Sequence, residues 1–457
     1  MGRELESGDS NTQSLCPECF CKIPARRVMK GQDVYLVKSC PNHGESSTLV
    51  WRGAPSLSEW FRPKIPYVNP IPNTGAQRGC PFDCGLCAGH RQQTCTALLE
   101  ITGRCNLNCA YCFADASTKP SPDPVLSVIR DWYQTLLSSG GACNIQLSGG
   151  EPTMRDDLPK IVALGRSMGF KFIQLNTNGL RIAHDRSYLI ALKEAGLSSV
   201  FLQFDGVSDQ IYMKLRGREI LNAKLEAIEN CGEVGLGVVL VPTLVPGVNT
   251  GAIGAIIRFA AENLNVVRGV HFQPVSYFGR YPSKPLDEQR LTLPELMAMI
   301  EIQTSGAIRM ENFNPPGCEN SMCSFHGSFV LMPDGDLVPL TRRGSFKRSM
   351  APEKAEDGAF KTRKFVATNW SKSGSAGYTQ GDAGISFGPW DTLLERSRTH
   401  MLCVSAMAFQ DIWNLDVERL KDCCIHVVGE SGRIVPFCAY NLTSSDGSFL
   451  YRGRHIR

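Results

Sequence analysis

Between Thr96 and Gly306, short apolar runs rich in β-branched residues alternate with segments whose apolar positions recur every three or four residues. The runs fall at 97–102 (ALLEIT), 144–148 (NIQLS), 172–176 (FIQLN), 199–204 (SVFLQF), 236–244 (LGVVLVPTL) and 269–273 (GVHFQ). Helical periodicity follows each, near 123–138, 156–168, 186–195, 217–231, 250–264 and 293–305. Strands apolar on both faces, each followed by a helix, predict a parallel sheet. Six such units over 96–306 predict an incomplete, TIM-type (βα)6 barrel of the α/β class. Its site is expected at the C-terminal ends of the strands.

The flanks read differently. Residues 1–15 are polar and read as a disordered lead-in, and 16–52 as a small cysteine knuckle. Residues 53–95 form a proline-rich connector that ends in a second cysteine group. The C-terminal region, 307–457, carries two hairpin signals of one pattern, Pro333–Pro339 and Glu430–Pro436. Between them, 344–390 is rich in Lys, Gly, Ser and Thr and reads as a mobile loop or lid.

Composition narrows the function classes. The chain has 457 residues, 42% of them hydrophobic, enough for a sizeable core. Its net charge is +4, from 48 basic and 44 acidic residues, too small an excess for an electrostatic grip on nucleic acid. No basic, aromatic-interleaved patch suggests such a partner either. The longest apolar stretch, near 234–245, falls short of the ~20 residues that span a bilayer. No signal segment opens the chain, and Glu6 argues against myristoylation of Gly2. The 19 cysteines cluster in short-spaced groups, which argues for metal ligation in a reducing, cytoplasmic setting rather than for disulfides.

Cys105, Cys109 and Cys112 stand at i, i+4 and i+7 just after the first strand. Three thiolates can hold a 4Fe-4S cluster and leave one iron open. Cys80, Cys84 and Cys87 repeat that spacing before the barrel, with Cys95 as a fourth ligand, and suggest a filled auxiliary cluster. Cys318 and Cys323, with Cys423 or Cys424 and Cys438, suggest a further one, with Cys403 as a spare candidate. Cys143 and Cys231 read as buried apolar residues. Cys16, Cys19, Cys40 and His43 form a Cys3His set suited to zinc, or to a mononuclear iron if Cys21 substitutes for the histidine.

The Cys105–Cys112 loop, together with Ser148-Gly149-Gly150-Glu151-Pro152 at the end of the second strand, resembles the radical S-adenosylmethionine (SAM) superfamily, with its CxxxCxΦC loop and GGE motif. The resemblance implies that Cys105, Cys109 and Cys112 hold the catalytic cluster and that its open iron is chelated by the amino and carboxylate groups of SAM. Gly149, Gly150 and Glu151 would then lie beside the SAM amino group and Tyr111 beside the adenine. Asn176 falls in the segment that resembles the ribose contact, and Gln203, Asp205 and, more weakly, Gln273 lie at the same mouth. A reduced cluster would cleave SAM to a 5'-deoxyadenosyl radical that abstracts hydrogen from an unactivated carbon. The cofactor supplies that chemistry, and the protein excludes water and holds the target carbon.

The CPEC…CPNHG knuckle, the GCPFDCGLC…TC segment and the ending CIHV…IVPFCAYN look like one subgroup, the tetraether lipid synthases and dihydropterin dimethyltransferase-like proteins. This implies a knuckle iron or zinc, two auxiliary 4Fe-4S clusters and an external electron donor such as ferredoxin or flavodoxin. Carbon-carbon coupling of lipid alkyl chains is the favoured expectation, with a peripheral approach to the bilayer. Methylation of a dihydropterin-like heterocycle is the alternative, and a non-catalytic iron-sulfur or zinc-ribbon binding module is the reading of another class.

Overall fold

The computed structural model describes residues 11–70, 72–116, 122–344, 352–371, 389–429 and 432–452. An antiparallel sheet opens the described chain, with β1 (Asn11–Leu15), β2 (Lys22–Lys30), β3 (Asp33–Cys40) and β4 (Gly44–Trp51) in that order. Residues 11–15 are thus a strand and correct the disordered lead-in over that stretch. Residues 1–10 lie outside the described residues. The polar side chains of β1 are buried against distant partners: Thr12 donates to Asp416 (2.7 Å) and Ser14 to the Leu415 carbonyl (2.6 Å).

The six expected barrel strands are present as β5 (Thr96–Thr102), β6 (Asn144–Gly149), β7 (Ile173–Thr177), β8 (Ser199–Gln203), β9 (Gly237–Val241) and β10 (Val267–Pro274). All run parallel in sequence order. The C-terminal region adds β11 (Ser324–Leu331), β12 (Leu337–Pro339), β13 (Met401–Met407), β14 (Ile425–Val428) and β15 (Ile434–Pro436) to the same sheet. β13 pairs parallel with β10, and β14 pairs parallel with β5. The parallel array is therefore wider than the six units read from the pattern. Antiparallel partners follow on each side, β11 with β12 beyond β13 and β15 beyond β14, and these are the two expected hairpins. Glu430 and Ser431 of the second lie outside the described residues.

Amphipathic helices cover the sheet, among them Leu126–Ser138, Leu158–Ser167, Leu221–Glu233 and Ile253–Glu262, whose apolar faces join the strands in one buried cluster. The helix expected at 217–231 is preceded by a separate one, Asp209–Arg216, which stops at Gly217 in the left-handed region (φ 71°). The 344–390 stretch also departs from a mobile loop: Ala355–Asn369 is a helix. Its buried face is built from Ala355, Gly358 and Ala359, and a Cβ on Gly358 would stand 2.0 Å from the Gly317 carbonyl. Small residues carry that contact, so apolar periodicity did not reveal it. Residues 345–351 and 372–388 lie outside the described residues.

This helix floors the barrel. Asn144, at the start of β6, donates to the Arg363 carbonyl (3.3 Å), and Arg363 donates to the Thr94 carbonyl before β5 (3.1 Å). Trp370, just past the helix, stacks on Phe201 of β8 with ring centroids 5.7 Å apart.

Candidate active site

After β5 the chain turns through Cys105, Cys109 and Cys112 at the C-terminal ends of the strands. The root of this loop is fixed by Arg104, whose guanidinium pairs with Asp123 at 2.5 Å. Its middle is fixed by Ala110 N–H donating to the Leu215 carbonyl (3.1 Å), and its end by Cys112 and Arg280 exchanging backbone hydrogen bonds (2.9 and 3.0 Å). Arg280 Nε also donates to the Cys109 carbonyl (3.0 Å). Burial pushes the Cys105 thiol up to about 11 and raises that of Cys112. Thiolates there need a cationic partner such as cluster iron.

The glycines have a steric reason. Gly149 adopts φ +127°, where a Cβ would stand 2.2 Å from the Thr102 carbonyl, and a Cβ on Gly150 would stand 2.2 Å from that of Arg104. The N–H groups of Gly150 and Glu151 donate to those same two carbonyls (2.8 and 2.7 Å). Only glycine lets the end of β6 reach the root of the cysteine loop. Glu151 is buried and ties strand ends together: Oε1 accepts from Thr153 N (3.1 Å), Thr153 Oγ1 (2.6 Å) and Thr177 Oγ1 (2.6 Å), and Oε2 accepts from Asn178 N (2.7 Å).

A cavity of about 680 Å³ runs from this loop into the barrel interior, lined by Tyr111, Gly149, Gly150, Glu151, Asn176 and Gln203. Tyr111 packs edge-on against Tyr277, with centroids 6.4 Å apart. Asn176 Oδ1 is buried and has no hydrogen-bond partner, which suits a ligand hydroxyl. Gln203 accepts from Lys224 Nζ (3.4 Å), a fully buried amine whose pKa burial lowers to about 8. Gln273 also lines the cavity.

Asp205 plays another part. It is fully buried and holds Arg216 by two hydrogen bonds of 2.7 Å, Nε to Oδ2 and Nη2 to Oδ1. Arg216, rather than Asp205, faces the cavity, beside Cys109. A ligand carboxylate at the loop would meet this guanidinium. Sequence reasoning missed Arg216 and Lys224. Their one local signal was the Arg216-Gly217 helix end.

In the knuckle, one ligand atom each from Cys16, Cys19, Cys40 and His43 lies within 4.8 Å of the others. His43 Nδ1 is 3.4 Å from Cys16 Sγ and 3.5 Å from Cys40 Sγ, a compact arrangement suited to one tetrahedral metal ion. Cys21 is exposed and stands outside this group.

The remaining thiols are regrouped relative to the sequence order. Cys95 lies with Cys318 and Cys424, all buried, their sulfurs within 4.8 Å of one another, rather than with Cys80, Cys84 and Cys87. Glu319 closes on the same spot, its Oε2 accepting from Cys424 Sγ (3.6 Å). Cys80, Cys84 and Cys87 are neighbouring thiols, with Cys84 beside both of the others. Cys323, Cys423 and Cys438 form a third neighbourhood around Arg419, which donates to Cys323 Sγ (3.1 Å). Cys403 lines the cavity, whereas Cys143 and Cys231 are buried in the main apolar cluster.

Residues 99–260 match the radical SAM superfamily model, and residues 9–52 match the HMPTM N-terminal zinc ribbon domain. The chain is 36% identical to the 7,8-dihydro-6-hydroxymethylpterin dimethyltransferase of Methanocaldococcus jannaschii, over 95% of this chain and 93% of that protein. A probable GTP 3',8-cyclase of Methanothermobacter thermautotrophicus is 33% identical over 38% of this chain and 56% of its own. The Fe-coproporphyrin III synthase of Methanosarcina barkeri is 38% identical over 30% of this chain and 34% of its own. Both of these similarities are partial, while the first spans the knuckle, barrel and C-terminal region together. The chain is a radical SAM enzyme and belongs to the family of the 7,8-dihydro-6-hydroxymethylpterin dimethyltransferase.

Proposed function

We infer that this enzyme methylates a dihydropterin-like heterocycle, the alternative of the sequence reading, rather than joining lipid alkyl chains. The observation that carries the inference is the near full-length similarity to a dihydropterin dimethyltransferase. The cavity supports it, because the amides of Asn144, Gln146 and Gln174 line its inner wall. An alkyl chain against that part of the wall would leave the Gln146 and Asn144 carbonyl oxygens without a partner.

When bound, the cluster supplies one electron to SAM and so generates the 5'-deoxyadenosyl radical. Cys105, Cys109 and Cys112 would hold the cluster, Gly149 and Gly150 let the end of β6 meet the root of the cysteine loop, Asn176 Oδ1 would accept from a ribose hydroxyl, and Arg216 would pair with the SAM carboxylate. The buried barrel wall keeps water from the reacting carbon.

The knuckle set of Cys16, Cys19, Cys40 and His43 holds one zinc or iron ion. The regrouped thiols of Cys80, Cys84 and Cys87, of Cys95, Cys318 and Cys424, and of Cys323, Cys423 and Cys438 are candidate ligands of the auxiliary iron-sulfur centres. The electron comes from an external donor such as ferredoxin or flavodoxin, and the chemistry runs in the reducing cytoplasm that its 19 cysteines call for. No helix among the described residues is long and apolar enough to cross a membrane.

The test uses protein reconstituted without oxygen and given SAM, a strong reductant and either 7,8-dihydro-6-hydroxymethylpterin or deuterated membrane lipid. Methylated pterin is the expected outcome, together with 5'-deoxyadenosine from the SAM that supplies the radical and S-adenosylhomocysteine from the SAM that donates the methyl group. Deuterium passing from the lipid into 5'-deoxyadenosine, with the pterin unchanged, would overturn the proposal.

A further inference from the structure

The cavity wall below the cysteine loop carries a row of amides whose orientation is fixed from one end. Ser199 Oγ donates to the Gly237 carbonyl at 3.2 Å. A carbonyl only accepts, so the single hydroxyl proton is committed there. The same oxygen accepts from Gln174 Nε2 (3.2 Å), which turns Gln174 Oε1 to accept from Gln146 Nε2 (2.8 Å). The three residues are in-register neighbours on β6, β7 and β8, and both Gln174 and Ser199 are fully buried. The relay therefore leaves Gln146 with its carbonyl oxygen as the free end of the amide, on the wall of the cavity. Turning that amide over would set two carbonyl oxygens against each other at Gln174.

Asn144 lies two residues earlier on the same face of β6. Its Nδ2 donates to the Arg363 carbonyl (3.3 Å), so its Oδ1 is a second acceptor on the same wall. Phe172, just before β7, and Phe201 of β8, one face of which is stacked on Trp370, line the cavity and add flat apolar surface.

We propose that Gln146 and Asn144 are specificity-determining residues that select a substrate by a donor-rich edge, the ring N–H and exocyclic amino group of a 2-aminopyrimidinone. The flat ring lies against the phenyl faces, and its donors meet the two oriented carbonyls. This deepens the dihydropterin reading and rests on it. A ring that presents an acceptor or a bare C–H at the amino position leaves a carbonyl on the cavity wall unpaired and is discriminated against about tenfold or more.

The experiment measures binding to the anaerobically reconstituted holoenzyme with S-adenosylhomocysteine present, by equilibrium dialysis. The probes are 7,8-dihydro-6-hydroxymethylpterin and its 2-deamino analogue. The wild type is expected to favour the amino compound about tenfold or more. Gln146→Met, which removes the oriented acceptor, should bring that ratio near unity. Gln174→Met, which removes the acceptor that orients Gln146, should loosen the ratio by freeing the Gln146 amide to turn. Equal binding of both probes by the wild type, or an unchanged ratio in both Gln146→Met and Gln174→Met, overturns the inference and leaves the pterin reading standing. Binding of neither probe overturns the pterin reading and the inference with it.

Discussion

Removing the Arg216 guanidinium should destabilise the barrel far more than a surface charge would, because its partner has nowhere to go. Asp205 is 0% exposed and Arg216 is 6% exposed. In Arg216→Gln the carboxylate keeps one backbone donor, Thr243 N–H at 3.1 Å, and loses both charged hydrogen bonds of 2.7 Å. Leaving one member of a buried pair uncompensated costs about 3–5 kcal/mol. For a barrel unit of this size that corresponds to a fall of about 10 °C in the melting midpoint. Asp205→Asn alone should also destabilise, by stranding the cation. The double variant Asp205→Asn/Arg216→Gln should recover much of the loss, since two neutral amides can bond to each other and neither is a buried charge. Anaerobic melts of the four proteins, followed by near-ultraviolet circular dichroism, give the cycle. A fall under about 2 °C for Arg216→Gln, or a double variant as unstable as the two singles added together, would refute the reasoning. The same variants report on SAM: Arg216→Gln and the double variant should both bind it weakly, because neither offers the guanidinium.

Cys109→Ala should lose the visible absorption of the radical cluster and 5'-deoxyadenosine formation while the knuckle keeps its metal; persistent 5'-deoxyadenosine would place the catalytic cluster elsewhere. Cys21→Ser should keep the knuckle metal and Cys19→Ser should lose it, as read by metal analysis of the purified proteins. Gly150→Ala drives a Cβ to 2.2 Å from the Arg104 carbonyl, and iron analysis should show depleted radical cluster in a chain whose circular dichroism is otherwise unchanged. Burial lowers the pKa of His271 to about 4 from 6.5. Between those values the unfolded chain binds a proton that the folded chain does not, so stability falls as pH drops through that window, by up to about 3 kcal/mol. In His271→Gln the pH dependence of the urea midpoint should be shallower by about one proton.

Local signals were legible and long-range ones were not. The six barrel strands stood out because each is a run of apolar residues bounded by polar or glycine-rich turns, a pattern carried within a few residues. β1 did not, because Thr12 and Ser14 look solvent-bound until Asp416 and Leu415 arrive from the other end of the chain. The floor helix escaped because its contacts are made by alanine and glycine, which carry no apolar stripe. Asp205 was legible as a residue at the mouth of the barrel, yet its task was not. The arginine it holds is supplied by a helix whose short, mostly polar sequence gave little periodicity.

The cysteine groups show most clearly how register overrides sequence proximity. Cys95 follows Cys80, Cys84 and Cys87 closely along the chain, which is why the four were read together. But Cys95 immediately precedes β5, Cys424 immediately precedes β14, and those strands pair in parallel with Thr96 opposite Ile425. Parallel strands lie about 4.8 Å apart, so that register alone sets the two cysteines side by side. The Cys95 N–H donates to the Cys424 carbonyl at 2.8 Å. The floor helix then covers the pair, with Cys95 Sγ donating to the Ala359 carbonyl (3.7 Å), and Cys318 enters from the turn against which Gly358 packs. Spacing along a loop can propose a ligand set only where one loop supplies all the thiols, as for the proposed set Cys105, Cys109 and Cys112. Where the ligands sit on different strands, the pairing of the strands decides the set, and β14 comes from a part of the sequence that gives no sign of where it will dock.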